Sequence, residues 1–247
     1  MPGIAIGVVQ ADKPLWQKFV GVADAATKGT ITSDTMFPAA SLGKPVAAYV
    51  ALRLAAAGKF DLDTPLKRYV PDHTPADPRG DKLTARHVLS HSTGLRNWRN
   101  STEQPLVPDF EPGARFQYSG EGFYYLQRVV EKVSGQAFAQ FVETELFEPW
   151  TMRSSTYAWR ADTDARLVTG HNRGNPVRGQ SRDFAIRLFQ YAVAQGKPLA
   201  AFRHEDVVAA MTALKPSPPQ LPNFMVPNAA GSLLTTMADY CTFVRRE

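Results

Sequence analysis

Ser41-Leu42-Gly43-Lys44 sets a hydroxyl and an amine three residues apart. On a helical turn such residues share a face, so the amine can reach the hydroxyl. Serine is a weak nucleophile at its ordinary pKa and needs a base beside it. Lysine serves as that base when burial disfavours its ammonium form. Residues 45–57 are apolar almost all round and are followed by Gly58, a natural C′ residue. They predict a helix buried in the middle of the molecule, with Pro45 acceptable in its first turn. The N-terminus of that helix sets Ser41 in a positive field, with backbone N–H groups able to receive an oxyanion. The pair alone reads more readily as a serine N-cap beside a lysine whose stem lies along apolar surface, and its context decides between the two.

Other chemistries have thinner support. His87 and His91 are spaced like helix-borne zinc ligands, but residue 88 is Val rather than Glu and no third ligand stands nearby. Cys241 is the sole cysteine, which rules out an internal disulfide, and its apolar setting predicts a small core residue. There is neither a Gly-rich phosphate loop nor a Gly-x-Ser-x-Gly elbow. At 44% hydrophobic and 21% charged residues the composition is that of an ordinary globular protein. The net charge of +5 is spread thinly, without a basic run interleaved with aromatics, so nucleic-acid binding has no specific support. No apolar run reaches the roughly 18 residues of a membrane span. The chain passes almost directly from Met1 into an apolar run without a secretory leader pattern, and this start reads as a cut one.

The pattern around these residues predicts the elements that must position them. Ile4–Val9 and Leu15–Val20 flank the turn Asp12-Lys13-Pro14 and read as a β-hairpin. Helices are expected over 84–90, over 120–133 before Ser134-Gly135, and from about 137 to 147. The polar, Gly- and Arg-rich stretch 162–182 reads as loop. His204-Glu205-Asp206 opens an amphipathic helix, and Pro216 to Pro222 form a proline-rich connector. Thr236, with Asp239 three residues on, starts the last helix.

Thr35-Met36-Phe37-Pro38-Ala39-Ala40-Ser41-Leu42-Gly43-Lys44-Pro45 resembles the Ser-x-x-Lys segment of the serine β-lactamase and penicillin-binding family. Further segments resemble the same family in the same order: Met1–Ile6, Gly58–Pro65, Leu83–Leu95, Phe116-Gln117-Tyr118-Ser119-Gly120 and Ala229–Thr236. The resemblance covers essentially the entire chain. It implies an α+β fold of the β-lactamase/transpeptidase type, a single domain over 1–247 with a helical body packed on an antiparallel sheet. It implies Ser41 as nucleophile, with Lys44 and Tyr118 as proton-handling partners; Tyr118 matches the tyrosine of the family's Tyr-x-Asn element. The implied reaction is two-step acyl transfer from an ester, amide or β-lactam in a small molecule or peptide. No metal or cofactor is implied. Family members range from class C β-lactamases and DD-peptidases to family VIII carboxylesterases, commonly bacterial and periplasmic or secreted.

Two departures shape the expectation. Gly120 stands at the substrate-binding position where the family's β-lactamases and peptidases carry Asn, whose side chain helps hold the substrate amide. This tilts the reading toward esters. Glu121, next in line, offers a polar replacement, although an acidic residue in a first helical turn needs no such role. The family's third motif, Lys/His-x-Gly on a later strand, is not found; His171-Asn172-Arg173-Gly174 lies too early and in loop-like sequence. The resemblance therefore predicts that a helix before the first strand and strands after residue 247 are missing, to be completed by a longer segment or a second chain. The stretch 182–227 is expected to border the cleft. The alternative function is a non-catalytic binding or regulatory module that retains the fold.

Overall fold

The two apolar runs at the start of the chain pair as an antiparallel hairpin of β1 (Gly3–Gln10) and β2 (Lys13–Gly21), as expected, with Lys13 and Pro14 of the expected turn already in β2. This computed structural model describes residues 2–10, 13–100, 104–172, 175–177, 180–214 and 227–246. A short strand, β3 (Phe37–Ala40), then leads through Ser41 into α1 (Gly43–Ala56). α2 (Ala85–Leu89) is capped by Thr84, whose hydroxyl accepts from the His87 N–H while the His87 ring closes the box on the Thr84 N–H. α3 (Gly120–Ser134) starts at Ser119, whose Oγ accepts from the Gly122 N–H at 2.9 Å. It stops at Gly135 in the left-handed conformation. α4 (Phe138–Val142) runs on into a π-helical turn over Glu143–Phe147.

The stretch expected as loop carries more structure than its composition suggests. It holds α5 (Thr163–Arg166), the small hairpin of β4 (Gly170–Asn172) and β5 (Asn175–Val177), and the start of α6 (Gln180–Ala194). α7 (His204–Ala213), β6 (Leu233–Thr235) and α8 (Met237–Arg246) complete the order. Thr236 caps α8 through the Asp239 N–H, and Cys241 is buried on that helix as expected. The proline-rich stretch 216–222 lies outside the described residues. Among the described residues the strands form three antiparallel pairs, β1–β2, β3–β6 and β4–β5.

The core differs from expectation in which helix it encloses. α1 buries Val46, Ala47, Val50, Ala51 and Leu54 but leaves Leu52 45% exposed. α3 is the enclosed one, with every residue from Gly120 to Glu131 buried. Its polar side chains survive there because each has a partner: Glu121 pairs with Arg99, Arg128 with Asp72, and Glu131 with Gln127.

Tyr157 props the start of α1 from below. It is buried against Phe138 and Phe147, and its hydroxyl donates to the Gly43 carbonyl at 2.5 Å. A Cβ at Gly43 would lie 3.1 Å from the Tyr157 ring and hydroxyl and from Leu233 Cβ, so position 43, next to Lys44, is tight for any side chain. Tyr157→Phe removes this one bond while keeping the ring. It should cost about 1 kcal/mol in urea denaturation, and an unchanged midpoint would show that the hydroxyl does not hold α1.

Candidate active site

Ser41 occupies the turn between β3 and α1, one residue before the N-cap Leu42, and is exposed. Lys44, in the first turn of α1, is only 5% exposed. Its amine lies 3.1 Å from Ser41 Oγ and 2.6 Å from the carbonyl oxygen of Ala230. No carboxylate among the described residues pairs with it. Burial lowers the Lys44 pKa from the ordinary lysine value, with the Tyr118 phenol opposing the shift.

Tyr118 lies in the extended segment that enters α3. The Lys44 amine sits 4.7 Å from the centre of its ring and 5.7 Å from that of Phe123. The Tyr118 ring also stacks on His91, with centroids 4.4 Å apart and planes 28° apart. His91 Nδ1 accepts from the Ser119 N–H at 3.1 Å, so its remaining proton belongs on Nε2. Burial, and then the Lys44 charge, lower the His91 pKa and favour this neutral form. The structure thus brings together Ser41, Lys44 and Tyr118.

Gly120 is a different case. It is buried, and its N–H donates to both the carbonyl and the side-chain oxygen of Asn97, each at 3.0 Å. A Cβ at this position would come within 2.4 Å of the Trp98 ring. Gly120 itself therefore offers neither side chain nor unused N–H. Glu121 is buried and held by Arg99, with a shortest contact of 2.8 Å. His87 and His91 are committed to the α2 cap and the Tyr118 stack. His171 Nε2 accepts from the Ala25 N–H, while Arg173 and Gly174 lie outside the described residues. Of the stretch expected to border the cleft, residues 215–226 also lie outside them.

Sequence reasoning missed what fixes Lys44 from the far side. The turn Asn228–Ser232, ahead of β6, presents the Ala230 carbonyl, and Gln127 of α3 holds that turn at two points. Its Oε1 accepts from the Ala229 N–H at 2.8 Å, and its Nε2 donates to the Pro227 carbonyl at 3.1 Å. Glu131 fixes Gln127 in turn, accepting from Nε2 at 3.1 Å. The only signal available was two polar residues four apart, one helical turn, on the same helix.

Burial pushes the Glu131 pKa up to about 7, against hydrogen bonds from Gln127 and the Phe138 N–H. A carboxyl raised in the folded state binds more protons there than when unfolded, so its contribution to stability falls as pH rises from 4.5 to about 7. Glu131→Gln keeps an acceptor and removes the titration. The variant should therefore lose less stability than wild type between pH 5 and pH 7.5 in matched denaturation curves. Parallel losses would remove Glu131 as the titrating group.

The entire chain, residues 1–247, matches the family model described as Beta-lactamase. It is 30% identical over 200 residues to Esterase EstB of Burkholderia gladioli, covering 68% of this chain and 50% of that one. It is 27% identical over 161 residues to Penicillin-binding protein 4* of Bacillus subtilis (strain 168), covering 57% and 35% respectively. Among solved structures it is similar to a class C β-lactamase with a TM-score of 0.71 at 20% identity, covering 98% of this chain and 59% of that one. The chain thus spans half or less of the length of those two sequence relatives.

Proposed function

The chain belongs to the β-lactamase family, and on that footing we propose that it is a serine hydrolase cleaving carboxylic esters through an acyl-enzyme on Ser41. The observation that carries the reading is the buried, carboxylate-free Lys44 amine 3.1 Å from the Ser41 hydroxyl. In its neutral form Lys44 takes the proton from Oγ as the oxygen attacks the ester carbonyl. The Ser41 N–H, which donates to no described residue, faces the developing oxyanion at the positive end of α1. Tyr118, beside the same amine, gives its proton to the departing alkoxide and regains one from the Lys44 ammonium, so the proton taken from Ser41 ends on the alcohol. Water then attacks the acyl-enzyme and releases the acid.

Two observations favour esters over amides within the family's range. Apolar side chains are exposed beside Ser41 and Lys44, with Leu42 53% and Tyr118 38% exposed, which suits an uncharged acyl or alkyl group. The similarity to an esterase points the same way.

The direct test is the intact mass of the protein after exposure to a fluorophosphonate, with Ser41→Ala in parallel. One adduct, absent from Ser41→Ala, is expected; a folded wild type without an adduct would favour the non-catalytic binding module instead. Lys44→Met should lower kcat/KM for p-nitrophenyl acetate by about 10²–10⁴. Because the neutral amine is the base, wild-type kcat/KM should rise with pH along a limb centred below the ordinary lysine value of 10.5. A pH profile shared by wild type and Lys44→Met would exclude Lys44 as that base.

A further inference from the structure

The space at residue 120, next to Tyr118, is filled from another loop. Ser119 has extended backbone angles (φ −137°, ψ 118°), so the side-chain directions of residues 118 and 120 fall on one side of the chain and that of 119 on the other. Ser119 accordingly points inward, its Oγ donating to the Arg96 carbonyl at 3.0 Å and accepting from the Gly122 N–H. Tyr118 points the opposite way, toward Lys44. Whatever fills the side-chain direction of residue 120 therefore lines the cleft next to Tyr118.

That filler is Trp98. Its six-membered ring lies 2.4 and 2.6 Å from where a Cβ of residue 120 would stand. The indole is fixed because the loop carrying it is bound at several points to the start of α3. The Asn97 carbonyl accepts from the N–H groups of Gly120 and Glu121 at 3.0 Å each. Arg99 pairs with the buried Glu121 carboxylate through both its guanidinium and its backbone N–H. Asn97 is exposed, and its Oδ1 accepts from the Gly120 N–H, which leaves the Nδ2 donors turned away from that bond. No described residue accepts from Nδ2.

We propose that Trp98 and Asn97 are specificity-determining residues, the indole walling off the acyl subsite so that it takes short-chain esters and the Asn97 Nδ2 donating to the substrate beside it. This rests on the ester-hydrolase reading above. A rigid indole in place of a flexible polar side chain removes volume, and each methylene admitted or refused by an apolar wall changes kcat/KM about 10-fold or more.

The experiment compares kcat/KM for p-nitrophenyl acetate and p-nitrophenyl octanoate in wild type, Trp98→Phe, Trp98→Ala and Asn97→Asp. Fluorophosphonate labelling of wild-type Ser41 serves as the independent reading of the hydrolase itself. The octanoate-to-acetate ratio should rise at least about 10-fold in Trp98→Ala, and by less in Trp98→Phe, which keeps enough packing to fold should the smaller residue fail. A ratio unchanged in both, with wild type labelled, would overturn the role of Trp98 and leave the hydrolase reading intact; an unlabelled wild type would count against that reading instead. Asn97→Asp keeps the acceptor for Gly120 but exchanges the donor for a carboxylate oxygen and a negative charge, so kcat/KM for acetate should fall at least about 10-fold. An Asn97→Asp enzyme equal to wild type would remove Asn97 from the site. Gly120→Ala supplies the steric check: it should lower Tm by more than about 5 °C in wild type and by less in Trp98→Ala, where of these contacts only the Asn97 carbonyl, 2.8 Å from the same Cβ position, still opposes it. Equal losses in the two backgrounds would mean that the indole does not fill that space.

Discussion

A lysine amine kept out of water without a carboxylate partner is the constraint around which this molecule is arranged. Removing an ammonium from water costs several kcal/mol unless other groups replace its hydration. Here the replacements are few and neutral: the Ser41 hydroxyl, the Ala230 carbonyl and the faces of Tyr118 and Phe123. They satisfy hydrogen bonding without the full stabilisation that a carboxylate would give the charged form. The balance is thereby moved toward the neutral amine, the form able to take a proton. An Asp or Glu at this place would stabilise the ammonium and oppose that use.

These neutral partners come from distant parts of the chain, which ties the site to completion of the fold. Ser41 and Lys44 follow β3, whereas Ala230 precedes β6, 186 residues further on than Lys44. The β3–β6 ladder pairs Phe37 with Thr235 and Ala40 with Leu233, and so carries both segments to one place. Leu234 exchanges backbone hydrogen bonds with Thr156 on its other side, so the ladder is flanked rather than open. α3 then contributes from its start and its middle. Its start brings Tyr118 against Lys44, and Gln127, two turns on, secures the turn carrying Ala230. Polar residues on a buried helix are costly in isolation; on α3 they join the loop at 96–99 and the turn at 227–232 to one rigid element.

How much of this was legible in the sequence follows from which groups carry a signature. The hairpin, α1, α3 and α8 announce themselves through period, caps and terminal glycines. The Ser41–Lys44 pair is readable because three residues make one helical turn, and Tyr118 through a family likeness. The Ala230 carbonyl is not readable, since every residue has one and only the closed fold selects it. The relative burial of α1 and α3 was misjudged for a related reason. Hydropathy counts Glu121, Gln127, Arg128 and Glu131 as surface residues, and their partners Arg99, Pro227, Ala229 and Asp72 are far away in sequence. The stretch 162–182 looked like loop because its short elements are held by contacts from outside it. Met36 and Leu167 form one such bridge, and the Thr169 hydroxyl bonded to Asp24 is another contact.

Backbone strain marks how closely exposed nucleophile and buried base had to be set. Among the described residues only Lys28, Ala40, His91 and Thr151 combine a side chain with positive φ, and two of these flank the site. Each such conformation costs about 1–2 kcal/mol and persists only where its surroundings over-determine it. At Ala40, φ is +50° where the register of the β3–β6 ladder shifts, and this turn throws Ser41 off the strand into the open. His91 has φ +52° and is clamped by hydrogen bonds from its N–H to Val88 and from Gln117 to its carbonyl, which holds its ring flat beneath Tyr118. A relaxed strand running straight into α1 would hold Ser41 in the ladder. The bend at Ala40 lets the hydroxyl face solvent while Lys44, one turn later, stays under cover, and activation of one by the other requires both.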